Sequence, residues 1–194
     1  RHFGFPESTS VPLIGMVSRL TTQKGFEYLM PAMPEILGKD AQVVVLGSGE
    51  LWIANAFDEL QQKFTKKLGW NNGYNNDLAH LIEAGSDMFL MPSLYEPCGL
   101  NQMYSLRYGT LPIVRKVGGL RDTVMQYDES TGRGSGFIFD DPTSEAVSNT
   151  VGWAVKTFND RPQHFQQMVE IAMEQRFTWK TAAEKYVSLY RKNI

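Results

Sequence analysis

Met91-Pro92-Ser93-Leu94-Tyr95-Glu96-Pro97-Cys98-Gly99-Leu100-Asn101-Gln102-Met103-Tyr104-Ser105-Leu106-Arg107-Tyr108-Gly109 leaves an apolar run, crosses a polar loop and enters a helical pattern. Met88 to Met91 reads as a buried strand, and Pro92 ends it because proline has no N–H to give to a ladder. Leu100, Met103 and Leu106 recur at helical spacing, with Tyr104 beside Leu100, which predicts a helix. Pro97 fits its first turn, where a missing N–H is harmless. The unpaired amides of a helix start attract anions, above all phosphate. Gly99 lets a ligand approach the backbone closely. Glu96 is the one ionised side chain at this mouth, and a carboxylate suits sugar hydroxyls rather than phosphate. The local chemistry therefore suggests a ligand carrying both phosphate and sugar. The plainer alternative is a glutamate that complements a helix dipole.

Working outward, apolar runs at Val11–Val17, Gln42–Leu46, Asp87–Met91 and Leu111–Val114 predict strands, with shorter ones at Trp70–Tyr74 and Gly136–Phe139. Helical spacing marks Phe26 to Leu37, which contains Pro31 and Pro34, then Leu51–Leu68, a small helix around Leu78 to Ile82, and a short one after Gly118-Gly119-Leu120. Three closing helices are expected at Ser144–Phe158, Pro162–Glu174 and Trp179–Lys192. Asp128 to Gly136 is rich in Gly and Ser and is expected to be mobile. Strands alternating with helices imply an α/β fold, a Rossmann-like parallel sheet with helices on both faces. Ligands of such sheets lie beyond the carboxyl ends of the strands. The polar, Gly-marked segments all follow strands, so they are expected on one rim.

The chain of 194 residues suffices for one domain with a full core. Its net charge of −2 provides no global attraction to nucleic acid or membrane, and no apolar run reaches membrane-spanning length. One cysteine excludes an internal disulfide and fits a reducing compartment, cytoplasmic or plastid. His2, His80 and His164 form no metal-spaced pair. The chain opens at Arg1 without methionine, so residues 1–10 are expected to be a linker from a preceding domain and residues 11–194 the domain itself.

Arg19 and Lys24 follow the first strand. Arginine grips phosphate with two donors and lysine adds a point charge, so the pair suits a diphosphate as well as it suits a solvated loop. Gly47-Ser48-Gly49 resembles a phosphate turn but lacks the third glycine of the dinucleotide fingerprint. Gly132 to Gly136 lacks strand–turn–helix context, and no GxxxxGK[ST] loop exists. Tyr74, after Gly73, could stack on a base, though packing is the commoner role. Cys98 stands at a helix start with no assignable base beside it, which favours packing with its backbone N–H toward a ligand. Gly118 and Gly119 look like a close-approach turn. His80 and the four tryptophans read as structural.

Val17 to Gly25, Gly47-Ser48-Gly49, Gly73-Tyr74, Pro92-Ser93 with Glu96 to Leu100, and Arg107 to Val114 followed by Gly118-Gly119-Leu120 stand in the order and spacing of bacterial glycogen synthases and plant starch synthases. The chain resembles that family from about Val11 to Tyr190. The resemblance implies the C-terminal, nucleotide-sugar-binding half of a GT-B glycosyltransferase. It implies that Arg19 and Lys24 neutralise the diphosphate of ADP-glucose and that Tyr74 stacks near the adenine. It also implies that Glu96 contacts the glucose, while the backbone of Cys98, Gly99, Leu100 and Asn101 contacts sugar and phosphate. Asn101 replaces the threonine of many members. Tyr104 stands where broader retaining transferases carry a second glutamate. The implied reaction of a complete enzyme moves glucose from ADP-glucose to the 4-hydroxyl of an α-1,4-glucan end, with retained configuration. No metal and no cofactor are implied. The implied partners are the donor or ADP, the glucan and a preceding domain that the last helix reaches. Two other readings remain: a GT-B transferase using UDP-sugars, and a non-catalytic glucan-binding module.

Overall fold

In a computed structural model, which describes residues 2–6, 8 and 10–192, the strands are β1 (Leu13–Leu20), β2 (Gln42–Gly49), β3 (Leu68–Asn72), β4 (Met88–Met91), β5 (Leu111–Arg115) and β6 (Phe137–Phe139). The helices are α1 (Phe26–Gly38), α2 (Leu51–Lys63), α3 (Asn76–Gly85), α4 (Asn101–Tyr108), α5 (Gly118–Thr123), α6 (Ser144–Asp160), α7 (Pro162–Glu174) and α8 (Trp179–Lys192), with a 3-10 turn at Thr22–Lys24. The six strands form one sheet in the order β3-β2-β1-β4-β5-β6. All five pairings are parallel. This is the doubly wound architecture expected from the alternating pattern.

Side-chain alternation divides the core into two layers. Val43 and Val45 point to one face, with Phe26, Phe57, Val151 and Met168 from α1, α2, α6 and α7. Val44 and Leu46 point to the other, with Leu78 and Ile82 of α3 and Leu120 of α5. The chain builds outward from β1 to β3 and then returns to lay β4 on the other side of β1. The connections leaving β1 and β4 therefore run in opposite directions, and a crevice opens between them at the carboxyl ends of the two strands.

Several boundaries differ from the sequence expectation. β1 and β2 run past their apolar parts, with Ser18, Arg19 and Leu20 in register with Gly47, Ser48 and Gly49. Gly47-Ser48-Gly49 is thus a strand end, not a turn. A Cβ on Gly47 would lie 2.1 Å from the Ser18 carbonyl, so glycine serves close strand approach. α2 ends at Lys63 rather than Leu68, because the amides of Lys67 and Leu68 turn back to the Phe64 carbonyl and Leu68 pairs with Val43. α4 begins at Asn101, and Pro97 lies in the preceding loop rather than in its first turn. Gly99, at φ 72°, cannot belong to a right-handed helix. Pro31 and Pro34 stay inside α1 on its exposed face. Asp128 to Gly136 is closed by its own hydrogen bonds: the Asp128 carboxylate accepts from the Ser130 amide at 2.8 Å and the Thr131 hydroxyl at 2.9 Å. Phe3, in the segment expected to be linker, packs on the second core layer, its ring abutting Gly69. α8 buries none of its described residues and leaves Trp179 91% exposed.

At the opposite, amino-terminal edge of the sheet, Asp87 accepts a hydrogen bond from the Leu13 amide at 2.8 Å. Burial raises its pKa above the usual carboxylate value, against the lowering effect of that bond. The folded chain holds the ionised form less well than the unfolded chain does. The stability tied to this group is thus greatest with Asp87 protonated, and it is lost as the pH rises through the raised pKa. Asp87→Asn keeps an acceptor for Leu13 and removes the charge. It should raise the melting temperature at pH 7 by roughly 1–2 °C, an effect of about half a kcal/mol, with no gain at pH 4. Thermal denaturation at the two pH values checks this.

Candidate functional site

The crevice holds a cavity of about 270 Å3. One wall is the end of β1 with Arg19, followed by the turn that carries Lys24. A second is the loop from Pro92 to Leu100 that leads into α4, and a third joins Gly47 of β2 to Gly73, Tyr74 and Asn75 after β3. Arg19, Lys24, Gly47, Gly73, Tyr74, Glu96, Gly99, Leu100 and Asn101, far apart in sequence, meet here.

Three of the candidates lie behind the lining. Gly118 and Gly119 pack against the 96–98 backbone: their Cβ atoms would stand 2.1 Å from the Glu96 carbonyl and 1.8 Å from the Cys98 carbonyl. The Gly119 amide also donates to the Glu96 carbonyl at 3.0 Å. The close approach these glycines allow is therefore to the loop, not directly to the cavity. Cys98 faces a separate groove of about 840 Å3 between α4 and α8, beside Tyr104, Phe177 and Trp179.

The two loops of the crevice are stitched together. The Leu94 amide donates to the Gln23 carbonyl at 2.9 Å, and the Gln23 side-chain amide donates to the Tyr95 carbonyl at 3.2 Å. The Tyr28 hydroxyl donates to the Pro92 carbonyl, and burial raises its pKa. Glu50, which sequence reasoning passed over, anchors the Lys24 turn from the side of β2. Its carboxylate accepts from the Trp52 indole at 2.8 Å and the Thr22 amide at 3.0 Å. Those two bonds, the indole's first, hold its pKa below the usual value. An acidic residue just after the Gly47-Ser48-Gly49 strand end was the available signal.

Within the cavity, Lys24 Nζ lies 2.5 Å from Glu96 Oε2, and both side chains are largely buried. The Ser93 hydroxyl, part of the matching motif but given no role from sequence, donates to the same oxygen at 3.0 Å. The lysine and the glutamate, assigned separately from sequence to phosphate and sugar, are thus an ion pair. Arg19 is exposed at the rim, and its guanidinium has no side-chain partner among the described residues. Tyr74 projects at the mouth, 88% exposed. The Asn101 side chain ties α4 to the Val17 carbonyl at 3.2 Å. Leu100, at the N-cap, supplies no side-chain cap, so the first amides of α4 remain free for a ligand. An unpaired arginine, a lysine held by a carboxylate and open helix amides favour an anion. The carboxylate and Ser93, beside that lysine, offer hydrogen bonds to a polyol. No group of three or more potential metal-ligating side chains gathers among the described residues. No helix among them is long and apolar enough to cross a membrane.

Comparison with known proteins agrees with this geometry. Residues 2–174 match the family model described as glycosyl transferases group 1. Glycogen synthase 1 of Geobacter metallireducens is 52% identical over 190 residues, covering 98% of this chain and 38% of that protein. Glycogen synthase of Photobacterium profundum is 46% identical over 190 residues, with 98% and 37% coverage. The chain therefore spans less than two fifths of the length of these relatives. Among solved structures, the catalytic domain of starch synthase IV from Arabidopsis thaliana, bound to ADP and acarbose, superposes with a TM-score of 0.88 at 32% identity, covering 98% of this chain and 40% of that one. Sucrose-phosphate synthase from Thermosynechococcus elongatus, at TM-score 0.64 and 20% identity, shares the fold. With a crevice of this make-up at the switch point and a family match over nearly its whole length, the chain belongs to the glycosyl transferases group 1 family.

Proposed function

We propose that this chain is the donor-binding part of a glycogen or starch synthase. The complete enzyme transfers glucose from ADP-glucose to the 4-hydroxyl at the non-reducing end of an α-1,4-glucan, with retention of configuration. The observation that carries this reading is the convergence of Arg19, Lys24 and Glu96 on one cavity. The ADP seen with the Arabidopsis starch synthase supports the choice of nucleotide.

In this reading Arg19, Lys24 and the α4 amides hold the diphosphate. As the bond from glucose C1 to the phosphate oxygen breaks, negative charge grows on the leaving ADP, and these fixed donors stabilise it without a metal. Glu96 and Ser93 orient the hexose through its hydroxyls, and Tyr74 covers the base at the mouth. The acceptor glucan approaches from a preceding domain, which supplies the rest of its binding site.

Calorimetric titration of ADP into the 194-residue chain tests the proposal. Weak binding is expected, roughly 10 μM to 1 mM, together with negligible glucose transfer by the chain alone. Absence of binding heat at millimolar ADP overturns the reading, and tighter binding of UDP than of ADP would redirect it to UDP-sugars. Arg19→Ala removes a cation that has no side-chain partner among the described residues. It should weaken ADP about tenfold or more with the melting temperature unchanged, and the remaining affinity should depend less steeply on salt.

A further inference from the structure

Gln102 sits in the first turn of α4, fully buried, yet it lines neither the cavity nor the groove beside it. Its side-chain Nε2 donates to the Cys98 carbonyl at 3.0 Å and the Gly99 carbonyl at 3.1 Å. Its two hydrogens are shared with a third acceptor, the Thr123 hydroxyl oxygen at 3.2 Å, and that hydroxyl donates in turn to the Gly119 carbonyl at 2.5 Å. One buried amide thus ties two successive carbonyls of the 98–99 loop to α5.

A trans peptide is planar, with its C=O and the following N–H pointing in opposite directions. Drawing the Cys98 carbonyl toward Gln102 therefore turns the Gly99 N–H away from it. Drawing the Gly99 carbonyl in does the same to the Leu100 N–H. Of residues 98–101, Gly99, Leu100 and Asn101 line the cavity. The left-handed backbone of Gly99, φ 72°, allows both carbonyls to face the same way. The fit is close: a Cβ on Gly99 would stand 2.4 Å from Gln102 Oε1.

We infer that Gln102 is a positioning residue which aims the Gly99 and Leu100 amides into the cavity, where they join the first amides of α4 as an anion cradle facing Arg19 and Lys24. The inference rests on the proposed binding of a nucleoside diphosphate, and it adds the residue that holds the cradle's backbone in place. Without the two tethers the loop would be free to rotate its peptide planes, and the amide dipoles would no longer converge.

The test is calorimetric titration of ADP and of adenosine into the unaltered chain, Gln102→Met and Gln102→Glu, with folding checked by circular dichroism. Methionine has nearly the shape of glutamine and no donor. Gln102→Met should bind ADP about tenfold more weakly, while adenosine, which lacks phosphate, binds unchanged. Glutamate behaves differently because its donor depends on protonation. An ionised carboxylate repels the two carbonyls, whereas a protonated one donates to them. The ADP affinity of Gln102→Glu, relative to the unaltered chain at each pH, should therefore recover on acidification from pH 8 to pH 5.5. A purely structural role predicts no such recovery and equal losses for ADP and adenosine. Unaltered ADP affinity in Gln102→Met, or a flat relative pH profile in Gln102→Glu, overturns the inference alone. No ADP binding by the unaltered chain overturns the functional proposal and the inference with it.

Discussion

Glu96→Gln is expected to cut glucose transfer by the complete enzyme on the order of a thousandfold while leaving ADP affinity unchanged or a few-fold tighter. The asymmetry follows from the ion pair. Lys24 Nζ rests 2.5 Å from Glu96 Oε2, so in the proposed function a diphosphate competes with that carboxylate for the ammonium. In that proposal, binding a diphosphate would draw Lys24 away from its partner and free Glu96 for the hexose. Glutamine keeps the shape and an acceptor oxygen, but it neither competes for the ammonium nor holds sugar hydroxyls with a full charge. ADP therefore meets a more available lysine, while the hexose loses its strongest anchor during the reaction. Transfer kinetics and calorimetry on the same preparations check this. Parallel loss of ADP affinity and transfer would show that Glu96 holds the loop and not the sugar.

Gly25→Ala should lower stability by about 2–4 kcal/mol and the melting temperature by roughly 5–15 °C. Gly25 ends the Lys24 turn at φ 82°, a left-handed conformation that L side chains rarely adopt. A Cβ there would stand 1.8 Å from the Pro92 carbonyl oxygen and 2.8 Å from the Tyr28 hydroxyl. Both belong to the contact that fastens the β4 loop to α1, so relief requires the two walls of the crevice to part. ADP affinity should fall along with stability, since Lys24 and Glu96 sit on opposite sides of that seam. Gly38→Ala is the control, because a Cβ at Gly38 meets nothing within 4 Å. Thermal denaturation of both variants is decisive, and equal melting temperatures would mean that the seam yields without strain.

The parts legible in the sequence are those with a periodic or steric signature. Val-rich runs gave β2, and helical spacing gave α1, α6 and α7. Pro92 gave the end of β4, because these signals act over a few neighbouring residues. Boundaries drifted where a distant partner set them. Ser18, Arg19 and Leu20 look like a polar loop, but they continue β1 because Gly47 and Gly49 admit a neighbouring strand at close range. Pro97 suits a helix start, yet the carbonyls of Glu96 and Cys98 are taken by the Gly119 amide and by Gln102, and the helix waits until Asn101.

The sequence by itself determined the alternation of strands and helices and hence the parallel sheet. It also determined that Arg19, Lys24 and Glu96 lie at or beyond the carboxyl ends of strands and so share a rim, since all strands of a parallel sheet end at the same edge. Only the tertiary structure decided that Lys24 and Glu96 pair, that Gly118 and Gly119 serve the loop behind the cavity, and that Glu50 and Gln102 fix the two walls. The Lys24–Glu96 pair, the Glu50–Thr22 bond, the Gly119–Glu96 bond and the reach of Gln102 to Thr123 join residues some 20 to 70 positions apart and leave no local pattern, because their geometry exists only once the layers have packed.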